Sequence, residues 1–162
     1  MSASVERRPV VAVLGGAVCS QEISQLAYEV GRLIAEQGGV LICGGRSGVM
    51  EAACRGAQEH GGLTVGILPG DDAGEANPFV QIAIATGLGE ARNVLIVKSA
   101  DAAIAVDGGY GTLSEIAFCL KLGVPVVGVQ TWTIDPGIHQ AHSAAEAVQM
   151  AFQLASSRAQ RR

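Results

Sequence analysis

Two glycine-rich segments hold the residues best suited to chemistry. Each lies between an apolar, strand-like run and a helix-like run. The first is Val40-Leu41-Ile42-Cys43-Gly44-Gly45-Arg46-Ser47-Gly48-Val49-Met50, and the second is Ala103-Ile104-Ala105-Val106-Asp107-Gly108-Gly109-Tyr110-Gly111-Thr112-Leu113-Ser114-Glu115. A strand that ends in glycines and opens a helix presents unpaired backbone N–H groups at the positive end of the helix dipole. That combination favours an anion, most often a phosphate. Gly15-Gly16 closes another apolar run in the same way. The candidate phosphate-binding set is therefore Gly15, Gly16, Gly44, Gly45, Arg46, Ser47, Gly108, Gly109, Tyr110, Gly111 and Thr112. Arg46 reads either as a clamp on that phosphate or as a solvated turn residue. The glycines also admit a purely architectural reading, as tight strand-to-helix turns.

Several other chemistries are excluded by residues that are missing. No Gly-Lys-Ser or Gly-Lys-Thr occurs, so neither loop is a Walker A motif, and both miss the dinucleotide fingerprint. A pyridoxal enzyme needs a Schiff-base lysine, and the two lysines, Lys98 and Lys121, sit in amphipathic helix-like runs. Cys19, Cys43, Cys54 and Cys119 show no CxxC spacing, and His60, His139 and His142 are scattered. No metal site is expected from them.

The elements that must position the loops come from a chain of 162 residues, a length that suits one domain. Aromatics are 4% against a hydrophobic fraction of 49%, so Ala, Val, Ile and Leu must build the core. The mean hydropathy of +0.34 is positive, yet every apolar run is broken too soon to cross a bilayer. The surplus apolar surface is expected between subunits, in a homodimer or homotetramer. A net charge of −4 argues against a nucleic-acid partner. Residues 1–8 read as a flexible start without the apolar core of a signal peptide, and 158–162 as a basic tail. Arg7-Arg8 and Arg158, Arg161 and Arg162 are then solvated ends. Reduced thiols and a cytoplasmic location follow as expectations.

Strand and helix patterns alternate through 9–157. Strands are expected at 9–14, 40–43, 64–68, 80–86, 102–106 and 125–129. Helices are expected at 21–37, 49–60, 90–99, 112–122 and 144–157, with Ser20 capping the first. Residues 71–78 are a turn-rich acidic loop, and a further loop holds Trp132, Pro136 and Gly137. Repeated β-loop-α units imply a single α/β Rossmann-like, doubly wound domain, its mainly parallel sheet covered by helices on both faces. Both glycine loops follow strand ends, so both belong on the carboxyl edge where such sheets bind ligands.

The two loops, with Gly66-Ile67-Leu68-Pro69-Gly70 and Thr86-Gly87-Leu88-Gly89-Glu90-Ala91-Arg92-Asn93, resemble the LOG-like (SLOG) superfamily over about residues 9–129. That superfamily holds cytokinin-activating phosphoribohydrolases, often misnamed lysine decarboxylases, and molybdenum cofactor carrier proteins. The similarity is greater to the carrier branch. The resemblance implies a phosphate-bearing, nucleotide-like ligand, with molybdenum cofactor or a nucleoside monophosphate as the bound molecule and no other cofactor required. It also implies catalytic roles for Arg92 and Glu115 if the chain is a hydrolase releasing the base from nucleoside 5′-monophosphates. A carboxylate there would stabilise the positive charge that builds on the sugar as an N-glycosidic bond breaks. The alternative is that Arg92 and Glu115 form an ion pair pinning two helices. Asp107 stands where the hydrolases have Pro, and Arg92-Asn93 where they have Arg-Lys. Asp107 reads as a ligand contact or as a cap on the turn. Retained Arg92 and Glu115 favour the enzyme, and Asp107 and Asn93 favour the carrier. A DNA-processing accessory is a third reading, opposed by the acidic charge.

Overall fold

The computed structural model describes residues 6–161. Seven strands form one fully parallel sheet in the order β4-β3-β2-β1-β5-β6-β7. They are β1 (Val10–Leu14), β2 (Val40–Cys43), β3 (Leu63–Leu68), β4 (Ile82–Ala85), β5 (Ala102–Val106), β6 (Val126–Val129) and β7 (Ile138–Gln140). The helices are α1 (Gln21–Glu36), α2 (Val49–Glu59), α3 (Asn93–Ser99), α4 (Tyr110–Leu122) and α5 (Ala144–Gln160). The single Rossmann-like α/β domain expected from the sequence is the fold observed. Strand order reverses between β1 and β5, and both glycine loops open on that edge.

Alternate residues of the central strands feed two cores. Val11, Val13 and Ile104 face α1, α2 and α5, while Ala12, Leu14, Ala103 and Ala105 face α3 and α4. The first layer is packed closely because small residues let helices approach. A Cβ on Gly31 would lie 1.8 Å from Ala53 O, and one on Gly56 would lie 2.0 Å from Tyr28 O. The second layer has only two helices, so part of the sheet is left bare. Register pairs Ile84 with Ile67, which belongs to that layer, and Ile82 and Ile84 are each 45% exposed.

Several elements differ from the sequence reading, most by one or two residues at an end, as where β4 is Ile82–Ala85 and not 80–86. The loop after β6 contains an unexpected strand, β7. The helix expected at 90–99 splits into a 3-10 turn, Gly89–Arg92, and α3. α4 begins two residues early, at Tyr110, and α5 runs three residues late, to Gln160. That extension corrects the basic-tail reading, because Arg158 is on the helix and donates to Ala100 O at 2.9 Å. The expectation of a solvated Arg7-Arg8 is corrected in part. Arg7 reaches Asp101 Oδ1 at 3.3 Å and Arg8 donates to Gly38 O at 3.0 Å, although both remain exposed. Residues 1–5 and Arg162 lie outside the described residues.

Candidate functional site

The two helices that follow the glycine loops start differently from their neighbours. α1 and α5 are capped by the side chains of Ser20 and Ser143. α2 and α4 have Gly48 and Gly109 at the cap and receive no side-chain bond. In α2 the first N–H is spent on Gly16 O at 3.0 Å, so the β1 loop closes that end. At α4 the first-turn N–H groups have no intrahelical partner and open onto a cavity.

That cavity has a volume of about 210 Å³. Gly15, Gly16, Gly44, Arg46, Gly109, Gly111, Thr112, Arg92 and Glu115 all line it, so the structure brings together most of the sequence candidates. Glu90, Asn93, Met50, Val13 and Ala17 line it too and were missed. Glu90 and Asn93 flank Arg92 in the segment Thr86 to Asn93, and that adjacency was the available signal.

Five candidates, Gly45, Ser47, Asp107, Gly108 and Tyr110, do not line this cavity. Ser47 donates its hydroxyl to Ala17 O at 2.8 Å. Gly45 faces Leu68, and Gly108, with φ of +99°, lies over Thr112. Tyr110 is 84% exposed and stacks on Trp132, with ring centroids 6.2 Å apart.

The glycines divide into two kinds. A Cβ on Gly15 would lie 2.3 Å from Val49, and one on Gly44 would lie 2.8 Å from Arg92, so those glycines are demanded by packing. Gly109 has an ordinary φ of −102°, and nothing lies within 4 Å of a Cβ built there or on Gly111. The chain itself gives no packing reason for glycine at these two positions.

Arg92 is buried and bonded through all three of its guanidinium nitrogens. Its Nε donates to Ile67 O at 2.7 Å, one terminal nitrogen donates to Gly44 O at 3.3 Å, and the other donates to Asn93 Oδ1. Asn93 Nδ2 donates to Ser114 Oγ at 3.2 Å, and Ser114 Oγ donates to Gly111 O at 2.7 Å. A chain of bonds thus runs from Arg92 to the second glycine loop. Burial pushes the Arg92 guanidinium below arginine's ordinary value. The expected alternative, an Arg92–Glu115 ion pair, is not found among the ion pairs of the described residues. Glu115 is 8% exposed, and its pKa is pushed up from 4.5 to about 8. Desolvation is the main cause, Arg92 opposes it and Glu90 adds to it. A carboxyl in this state is largely protonated at neutral pH and offers an O–H as well as an acceptor.

Asp107 lies outside this cavity, in a surface hollow with Gln130, Thr131 and Trp132. Its φ is +50°, its carbonyl accepts from Thr131 Oγ1 at 2.6 Å, and among the described residues no backbone N–H donates to its carboxylate. Cys43 and Cys54 lie together in the core, with sulfurs 3.5 Å apart. Among the described residues no group of three or more His, Cys, Asp or Glu is arranged to hold a metal. Lys98 and Lys121 are exposed and away from the cavity.

Comparison with known proteins returns consistent neighbours. The family model described as SLOG cluster4 family matches residues 8–159. An uncharacterized protein of Archaeoglobus fulgidus is 49% identical over 138 residues, 85% of this chain and 91% of the relative. The molybdenum cofactor binding protein of Rippkaea orientalis superposes with a TM-score of 0.86 at 37% identity, covering 91% of this chain and 98% of that one. The molybdenum cofactor carrier protein of Chlamydomonas reinhardtii gives a TM-score of 0.86 at 36% identity, covering 93% and 99%. A probable cytokinin riboside 5′-monophosphate phosphoribohydrolase of rice is 33% identical over 100 residues, 56% of this chain and 38% of the relative.

Proposed function

The chain belongs to the SLOG cluster4 family, and from that premise we propose that it is a binding protein for a phosphate-bearing, nucleotide-like ligand, with molybdenum cofactor as the candidate cargo. One observation carries the reading. Gly109 and Gly111 face open space at the uncapped start of α4, where a phosphate needs close approach to backbone amides. Thr112 lines the same cavity and would add a hydroxyl. The likeness to molybdenum cofactor binding and carrier proteins over nine-tenths of the chain supports the choice of cargo.

The second reading is a phosphoribohydrolase. It is favoured by the rice relative and by Arg92 and Glu115 lining one cavity. Two features weigh against turnover. Three of the five Arg92 N–H donors are spent on two backbone carbonyls and Asn93, so the fold holds the guanidinium and only two donors remain for a sugar. Glu115 is largely neutral near pH 7 in this surrounding, so it offers little charge to a developing cation.

A cytoplasmic location and a homodimer or homotetramer belong to the same proposal. Among the described residues no helix is long and apolar enough to cross a membrane. The exposure of the apolar residues Ile82, Ile84, Leu88 and Leu95 supports an interface between copies.

Calorimetric titration with molybdenum cofactor and with inorganic phosphate tests the proposal, using Gly109→Val as the control. Saturable binding by the wild type, lost in the variant with its fold intact, is the expected result. Equal affinity in both proteins would overturn the site.

A further inference from the structure

We propose that a second cavity, next to the first, reads the heterocycle of the ligand and selects a 2-amino-4-oxopyrimidine ring, the edge shared by guanine and pterins, over adenine. The inference rests on the phosphate-ligand reading above. The cavity measures about 440 Å³ and is lined by Arg46, Leu68, Pro69, Gly70 and Glu75. Arg46 lines both cavities, so they meet at that residue. The sheet order sets β5, β1, β2 and β3 side by side. Three strand spacings, about 14 Å, therefore separate the end of β5, which leads into α4, from the end of β3. A phosphate, a sugar-sized ring and a bicyclic heterocycle fit that span in a row.

The walls of the second cavity are held in place. Glu75 ends a 3-10 turn, Ala73–Glu75, whose start is capped by Asp72 accepting from Gly74 N at 2.8 Å. A Cβ on Gly70 would lie 2.8 Å from Glu75 Oε2, so the carboxylate rests against the Gly70 backbone. Buried Asn77 ties this loop to the first glycine loop. Its N–H donates to Gly45 O at 2.9 Å and its Nδ2 donates to Arg46 O at 2.8 Å. Arg46 and Glu75 thus stand on two loops joined through Asn77, and their exposed side chains line one cavity. No ion pair joins them among the described residues, and neither side chain makes another hydrogen bond there.

An unspent cation and an unspent carboxylate beside an apolar wall match one heterocycle edge well. A 2-amino-4-oxopyrimidine presents a carbonyl acceptor, a ring N–H donor and an amino donor in sequence. Arg46 can donate to the carbonyl while Glu75 accepts from both donors, and Leu68 and Pro69 cover the ring. Adenine presents an amino donor beside a ring nitrogen lone pair, which a carboxylate repels.

The test measures affinities of wild type and Glu75→Gln for GMP, IMP, AMP, 6-hydroxymethylpterin monophosphate and inorganic phosphate. GMP and the pterin phosphate should each bind at least about tenfold more tightly than AMP, with IMP between them. Glu75→Gln should bring GMP down to AMP and leave inorganic phosphate unchanged. A pterin phosphate tighter than GMP assigns the ring to a pterin, and the reverse order assigns it to a guanine nucleotide. Equal affinities for GMP and AMP, with phosphate binding intact, overturn this inference alone. Failure of every phosphate compound to bind overturns the underlying reading with it.

Discussion

Two residues at the floor of the site, Arg92 and Glu115, decide between holding a ligand and cleaving it. Arg92 is as much a structural residue as a ligand-facing one. Truncating it leaves the carbonyls of Ile67 and Gly44 without their donor in a buried place. Arg92→Ala should therefore lose about 2–4 kcal/mol in chemical denaturation without any ligand. An unchanged denaturation midpoint would show that the cage of carbonyls contributes nothing. Glu115 behaves in the opposite sense. Its folded pKa of about 8 lies above the ordinary 4.5, so the folded protein holds this proton more tightly than the unfolded chain. The stability this supplies is complete below about pH 4.5 and is lost as pH rises through 8. Glu115→Gln stays neutral throughout, so at pH 9 it should be more stable than wild type by on the order of 1 kcal/mol, or about 2–4 °C. Thermal unfolding at pH 6 and pH 9 checks this, and the same pH slope in both proteins would contradict it.

At the scale of elements, the strand-glycine-helix units explain which glycines serve the fold and which face the ligand. Gly109→Ala should leave the free protein's stability within about 0.5 kcal/mol and weaken phosphate binding by at least about tenfold, because its Cβ enters only the cavity. Gly108→Ala should cost about 2 kcal/mol or more, because φ is +99° and the new Cβ would lie within 2.4 Å of Thr112 Cβ. Paired measurements of melting and of phosphate affinity separate the two. This division was not legible in the sequence, where Gly108 and Gly109 are adjacent and identical. The parallel sheet was legible, because its central strands are continuous apolar runs punctuated by glycine. β7 was not, since Ile138-His139-Gln140 is short and follows Pro136-Gly137, and it forms only by pairing with β6. Convergence of the glycine loops was likewise expected from their strand ends. That no ion pair joins Arg92 and Glu115 among the described residues was not, because Arg92 donates instead to the carbonyls of Ile67 and Gly44, distant in sequence.

For the whole molecule, the unequal covering of the sheet is the feature that matters. Three helices cover one face and two the other, and the β4 edge exposes Ile82 and Ile84, with Leu88 and Leu95 exposed as well. Light scattering should find a dimer or tetramer at micromolar concentration, and Ile84→Asp should shift it toward monomer. A monomeric wild type would refute the interface. The central claim is that this assembly binds a phosphate-bearing ligand without cleaving it. The most direct measurement incubates the wild type with a nucleoside 5′-monophosphate, following thermal stability and free base on the same sample. The account predicts a gain in stability of about 2.7 kcal/mol at a hundredfold excess over Kd, with no base released. Release of adenine from AMP that disappears in Glu115→Ala would contradict it and make the chain a phosphoribohydrolase.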